Sequence, residues 1–449
     1  MPLTLGSVVE RFKKKFSVSG EKSAAYGSHI PGGYSRSSLT FGPHAIYVER
    51  GDGQYIDTID GHRLLDFHNN FSCTILGHNH PRIREAIFDL VPKGFSFGNP
   101  MEHEHQLAKM LCERIESVEK VIFSCSSSEA CLSAVRIARA NTGKNKIAKF
   151  EGGYHGLGDP FVLSIHPVPL LLAGPATRPK PVANTAGLST TSCEDVIVLP
   201  QNDLEACRRI LADNAGDLAA VILELQCGAG GVIRLDEPFV QGLGEILRTL
   251  GILMIVDETI TLRAAYHGMQ SLYGVKPDLT VLGKIIGGGL PLGAVGGRAE
   301  LFRMNEAGEV FHSGTHHGHP LSTKAGIACL EVMNEATYDR LNSLGHSIQT
   351  ELNRWAKQHD YPFSVNGVGS HLGYEISDRP GRVYKSCRDI LAYSNEEHMQ
   401  IFAFEMANRG IFPMYRGQIA LSEPMTAADA QQFIRVGKEI IEALYGTKQ

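Results

Sequence analysis

No apolar run in this chain reaches the roughly 18 residues that a membrane-crossing helix needs, which leaves no candidate span. Neither sign of charge dominates: 43 basic residues face 48 acidic ones, for a net charge of −5. That balance argues against a nucleic-acid or membrane-surface protein. The nine cysteines are an odd number and include no C-x-x-C pair. They read as reduced thiols of a cytoplasmic protein, mostly filling its core, and not as a disulfide framework. The N-terminus, "MPLTLGSVVERFKKKFSVSG", has no small-residue cleavage site and places its basic cluster after a short apolar stretch. It reads as a basic amphipathic helix and not as a secretory signal. Internal repeats and low-complexity tracts are also missing.

What is present is ordinary globular composition: 449 residues, 43% hydrophobic and 20% charged, enough for two or three domains. From about residue 115 to 300 a short apolar run, a polar or glycine-rich turn and a helix-period segment recur. The runs are 121–123, 147–150, 219–223, 252–256 and 279–282, and helix candidates include 129–142, 204–214 and 238–250. This alternation predicts an α/β layer with a mainly parallel sheet, in which ligands bind beyond the carboxyl ends of the strands. Residues 167–195, rich in Pro, Ala, Thr and Ser, read as a long surface loop. Before residue 70 the chain reads as a helix, a Gly-Gly turn and short strands (46–48, 55–57). After Pro320 it reads as long helices (322–334, 338–359) and further short strands. The expected organisation is a large domain over 71–320, with 1–70 and 321–449 contributing a smaller α+β domain.

Each apolar run is followed by a chemically useful residue. Ser126-Ser127-Ser128 follow the first, with Ser126 and Glu129 at capping-box spacing. A helix N-terminus with serine hydroxyls suits a phosphate, and a plain N-cap is the structural alternative. Tyr154 follows the second, in "GGYHG", as a stacking platform or a half-buried tyrosine. Glu224 follows the third. Asp257 ends a fully apolar strand, where a carboxylate is costly without a cation or strong donor. Lys284 follows the fifth, in "LGKIIGGGLP". Partial burial in a shared cleft would make its amine nucleophilic, and a solvated turn lysine is the alternative. A phosphate-loop reading fails because the glycines follow the lysine, and "GLGEIL" at Gly242 lacks a third glycine. The histidines of "HSGTHHGHP", His312, His316, His317 and His319, invite a zinc reading. Gly314, Gly318 and Pro320 oppose a helix there, and no cysteine pair or H-E-x-x-H lies nearby, so no metal is expected. Phosphate donors, a ring platform, a carboxylate and an amine together are what pyridoxal 5'-phosphate requires.

The order and wording of these pieces resemble the class III, fold-type I pyridoxal-phosphate aminotransferases, including glutamate-1-semialdehyde aminomutases, over nearly the whole chain. "LGKIIGGGLPLGAVGG" is the most specific stretch, supported by "GHNHP", "GGYHG" and "HGMQSLYGVKPDLT". The resemblance implies an α/β fold with a mainly parallel sheet of the seven-stranded type and a homodimer with shared active sites. It makes Lys284 the Schiff-base lysine and Asp257 the partner of the pyridine nitrogen. It gives the phosphate to Ser126, Ser127 and Ser128, the ring to Tyr154 and Thr259, and has Thr315 reach the phosphate from the neighbouring subunit. Arg36 in "PGGYSRSS" and Arg416 in "YRGQIALS" resemble the carboxylate-binding arginines of β-amino-acid aminotransferases such as β-phenylalanine aminotransferase, and guanidinium suits that task. Ser127, Thr259, Leu225 and His319 replace the family's usual glycine, valine, proline and asparagine. The expected activity is amino transfer from a β- or ω-amino acid to a keto acid such as 2-oxoglutarate or pyruvate. The alternatives are a 2,1-aminomutase and a non-catalytic binding protein of the same fold.

Overall fold

The computed structural model describes residues 3–39 and 42–447. Seven strands form the main sheet: β1 (Lys120–Ser124), β2 (Lys146–Phe150), β3 (Val196–Leu199), β4 (Leu218–Leu223), β5 (Leu253–Asp257), β6 (Leu279–Gly283) and β7 (Gly293–Gly297). Their spatial order is β1-β7-β6-β5-β4-β2-β3. Only β7 runs antiparallel to its neighbours. Every residue of β4, β6 and β7 is buried, as a sheet covered on both faces demands.

Alternation along β4 shows the two layers. Ala220 and Ile222 join a core with Ala130, Ala134, Ile137 and Ala138 of the helix Ser127–Thr142. Val221 and Leu223 face the other way, into a core with Phe239, Val240, Leu243 and Leu247 of the helix Glu237–Leu250. The two-residue period of a strand thus feeds two separate helix layers. The first helix, Leu5–Lys15, buries Val8 and Phe12 in a small core with Ile401 and Phe404. Its last turn is Lys13–Lys15, which favours the negative end of the helix dipole.

The chain ends meet. Strands Val48–Asp52, Tyr55–Thr58 and Arg63–Asp66 form an antiparallel set, and Ile411–Phe412 adds in parallel beside Arg63–Asp66. A second small sheet joins Phe363–Val368, His371–Ile376 and Gln418–Ala420. No helix among the described residues is long and apolar enough to cross a membrane.

Periodicity missed two strands of the main sheet. β3 is only four residues long. β7 reads Gly-Ala-Val-Gly-Gly, and glycine weakens the strand signal. The long helices begin earlier than periodicity placed them, at Pro320 and Glu335. Proline suits a first helical position, and Asn334 caps the second helix by accepting from Thr337 N at 3.0 Å. The 167–195 stretch is mostly loop, with one short helix at Thr190–Glu194. Arg388 fastens the loop by donating to the carbonyls of Ala173 and Gly174.

The helix Pro320–Val332 braces the turn that carries Lys284. A methyl group on Gly326 would lie 1.9 Å from the Ile286 carbonyl oxygen. Gly326→Ala should therefore lower the unfolding free energy by about 1–3 kcal/mol through overpacking, read from urea midpoints. An unchanged midpoint would mean that the helix can slide away at little cost.

Candidate functional site

Four parallel strands deliver their carboxyl ends to one edge. β2 leads into Glu151–Tyr154, β4 into Glu224, β5 ends on Asp257 and β6 leads into Lys284. β1 joins them, because two antiparallel steps through β7 restore its direction. Gly293 of β7 pairs with Gly283 on one side and Ser124 on the other. The serine turn after β1 and Lys284 after β6 are thus separated by one strand.

Glycine makes that separation close. A methyl on Gly293 would lie 2.2 Å from Ser126 O, and one on Gly283 would lie 1.9 Å from Ser127 Oγ. Gly156 does the same opposite Ser128, whose Oγ would stand 2.3 Å from an added methyl. The replacement of the usual glycine by Ser127 is accommodated here, because its side chain rests against a residue that has none. The capping box is formed: Ser126 Oγ accepts from Glu129 N at 3.3 Å, and Glu129 Oε2 accepts from Ser126 N at 3.2 Å. Ser126 is therefore an N-cap as well as a site candidate. The N–H groups of Ser127 and Ser128, in the first helical turn, have no partner among the described residues. They are free donors at the positive end of a 16-residue helix.

Asp257 is 3% exposed. Its Oδ2 lies 2.9 Å from His155 Nδ1 and accepts from Cys131 Sγ at 3.6 Å, and its Oδ1 accepts from Thr259 N at 3.0 Å. Burial pushes the carboxyl up, but the His155 and Thr259 bonds outweigh it and hold Asp257 below the usual carboxylate range. The result is a buried anion without a lysine or arginine bonded to it among the described residues. Lys284 is half-buried, and its backbone is left-handed at φ +49°. Burial lowers the pKa of its amine, against the opposing pull of Asp257. The solvated-turn alternative does not describe this lysine.

Glu224 is buried and accepts from Tyr154 N at 2.9 Å and Gly228 N at 3.2 Å. Burial, with the Asp257 charge, raises its carboxyl from 4.5 to about 8. Through Tyr154 N it fixes the backbone of a residue whose side chain stays 40% exposed. Thr259 Oγ1 and His155 Nε2 are buried with no protein partner among the described residues.

The remaining candidates lie farther out. Arg36 is exposed, donates to Asn70 Oδ1 at 2.7 Å and lies over the Phe71 ring at 5.9 Å. Arg416 is exposed and bonded to His166 Nε2. Two residues on, Gln418 Oε1 lies 3.2 Å from His371 Nε2, and buried His371 senses the charge of Lys284. Thr315 is exposed on the 312–319 segment, with no bond to the other candidates in its own chain among the described residues.

Two participants escaped sequence reasoning. His155 sits beside Tyr154 in "GGYHG", and nothing in that wording aims it at Asp257. Glu224 was noted as a strand end but not as a site residue. The signal was available, since it follows a fully apolar strand just as Asp257 does.

The sequence pattern of the family "Aminotransferase class-III" matches residues 40–416. The chain belongs to the class III aminotransferases. Glutamate-1-semialdehyde 2,1-aminomutase 2 of Geobacillus kaustophilus is 35% identical over 424 residues, covering 93% of this chain and 96% of that relative. The crystal structure of an ω-transaminase from Sphaerobacter thermophilus superposes with a TM-score of 0.89 at 34% identity, over 95% of this chain and 97% of that one. A β-phenylalanine aminotransferase from Variovorax paradoxus gives 0.87 at 31% identity, over 97% and 96%. The fold is that of the fold-type I transferases, the protein is an enzyme, and its cofactor is pyridoxal 5'-phosphate. The residues fit that group. The serine turn offers unpaired donors, and Asp257 offers a buried anion.

Glu224 makes a pH-dependent contribution with a fixed sign. In the native apoprotein it keeps a proton that the unfolded chain releases between pH 4.5 and about 8. The native state then binds more protons, so its share of the stability is full below that window and is lost as pH rises through it. Denaturant unfolding of the apoprotein should show this decline, and Glu224→Gln should flatten it. An equal slope in the variant would count against a protonated Glu224.

Proposed function

We propose that this class III enzyme is an aminotransferase. Its amino donor is an amino acid whose amine is β to, or more distant from, its carboxylate. Its acceptor is a keto acid such as 2-oxoglutarate or pyruvate. The carrying observation is the half-buried amine of Lys284, with its lowered pKa, one strand from the buried anion of Asp257. Bound pyridoxal phosphate supplies an electron sink for the carbanion left when a proton leaves the donor carbon.

The chain's own residues do the rest. The Ser127 and Ser128 amides, with hydroxyls of Ser126, Ser127 and Ser128, hold the phosphate. Tyr154 and Thr259 flank the ring. Asp257, kept anionic by His155, holds the ring nitrogen protonated. Lys284 would hold the cofactor at rest through its amine and, when free, would serve as the general base and acid at the donor carbon. A lowered pKa keeps part of its population neutral for that task. Arg36 and Arg416 grip carboxylates at the mouth. Thr315 of a second copy completes the phosphate site in a homodimer with shared active sites. Residues 71–320 act as the large domain, and 1–70 with 321–449 as the smaller one.

A second reading, a 2,1-aminomutase that returns the amine to the same skeleton, is favoured by the 35% identity to a protein of that name over 93% of the chain. A coupled assay separates the two. The proposal expects turnover to require a keto-acid acceptor, and conversion without one would establish the mutase instead. Borohydride should fix the cofactor to the peptide containing Lys284, and Lys284→Ala should abolish both fixation and turnover. Asp257→Asn should cost several orders of magnitude in kcat. Near-normal rates in that variant would remove Asp257 from its role.

A further inference from the structure

Apart from Thr315, the histidine-rich segment after residue 311 is a sequence motif that amino transfer leaves without a task. His312 is committed, with Nε2 2.7 Å from Phe123 O and Nδ1 3.4 Å from Ser133 Oγ. His316 and His319 face one another with ring centroids 5.6 Å apart. His317 differs. Its side chain is 19% exposed, its Nδ1 is buried without a partner among the described residues, and its Nε2 lies 3.7 Å from Glu129 Oε2. Cys125 closes a triangle. One ligand atom each from Cys125, Glu129 and His317 all lie within 4.8 Å of one another.

We propose that Cys125, Glu129 and His317 form a site for one zinc-class divalent cation per chain. A thiolate, a carboxylate and an imidazole are the donor set such an ion selects. Around a tetrahedral ion with bonds of about 2.0–2.3 Å, neighbouring donors stand about 3.3–3.8 Å apart. The His317–Glu129 spacing already meets that, and the triangle closes with a movement of about an ångström. Glu129 is held in place because its Oε2 accepts from Cys125 N at 2.7 Å and Ser126 N at 3.2 Å. Its Oε1 has no hydrogen-bond partner among the described residues. The Cys125 thiol gives up its proton to solvent as the ion binds, and the fourth position takes a water. Cys125 is half-buried and Glu129 is 48% exposed in the single chain.

A second trio, Cys131, His155 and Asp257, also lies within 4.8 Å, but all three are buried and form the support beneath the ring site. The sequence objections to zinc were the glycines and proline that oppose a helix and the lack of an H-E-x-x-H motif or a cysteine pair near the histidines. A single cysteine from elsewhere in the chain lay outside that reading. The fold supplies one from 192 positions away, as 317 less 125. The ion would tie the segment that carries Thr315 to the turn at Ser126.

Cobalt(II) is the probe. Added to chelator-treated holoenzyme, one equivalent should give tetrahedral ligand-field bands at wavelengths beyond those where the cofactor absorbs. It should also protect Cys125 from iodoacetamide, read by peptide mass spectrometry, and zinc should displace it. Cys125→Ser and His317→Ala should lose the bands while keeping wild-type circular dichroism, and His316→Ala should retain them. No bands and no protection in the wild type would overturn the site. So would bands that survive Cys125→Ser, or that vanish in His316→Ala but persist in His317→Ala.

Discussion

The close approach of the serine turn to the Lys284 strand is the constraint on which the rest of the site depends. Ser124, Gly293 and Gly283 lie in one row across three strands, and the turn at Ser126 and Ser127 rests on the two glycines. With any side chain at Gly293, the Ser126 carbonyl would have to move, and the start of the helix would move with it. The positive end of that helix and the backbone that carries Lys284 are therefore set at a fixed separation by packing. The same helix buries Ala130, Ala134, Ile137 and Ala138 on the sheet, so its N-terminus cannot tilt without disturbing the core.

Electrostatics then sort three buried acids at neighbouring strand ends. Glu258 is fully used within its own turn, accepting from Thr261 Oγ1, Met269 N and Gln270 N. Asp257 and Glu224 share a low-dielectric edge, where two like charges cannot both be comfortable. His155 and the Thr259 N–H tip the balance, so that Asp257 carries the charge. Glu224, with burial and the Asp257 charge against it, stays protonated to about pH 8. Lys284, on the neighbouring strand, then has one anion to answer to.

The strand-end residues were legible in the sequence because parallel strands send their carboxyl ends to one edge. Listing what followed each apolar run therefore approximated listing the neighbours of a cleft. Ser126–Ser128, Tyr154, Asp257 and Lys284 came out this way. His155 was missed because it acts through Asp257 from 102 residues away. Such a distance leaves no trace in local spacing. β7 was invisible for a different reason: its glycines serve close packing, so they erase the alternation by which a strand is recognised. Helix starts shifted because Pro320 and Asn334 act as entry residues and not as breaks.

The mouth of the site carries stored strain. Asn69, Asn70, Phe71 and Ser72 all have φ between +47° and +68°. A left-handed run of ordinary residues costs about 1–2 kcal/mol for each, and such a run persists only where its surroundings over-determine it. The surroundings here are specific. Buried Arg263 donates to Ser72 O at 3.2 Å, to Ser370 Oγ at 3.0 Å and to the Leu421 carbonyl, and it has no carboxylate partner among the described residues. Asn69 donates to Ala420 O at 2.6 Å. The turn is thus pinned to the connection between the first two strands of the small sheet, at Ser370, and to the end of its last strand, at Ala420 and Leu421. Its outer face presents Asn70 and Phe71 to Arg36. Arg36 donates from its guanidinium to Asn70 Oδ1 and lies over Phe71, which gives that guanidinium a defined direction. A guanidinium of fixed direction is what the proposed carboxylate contact requires.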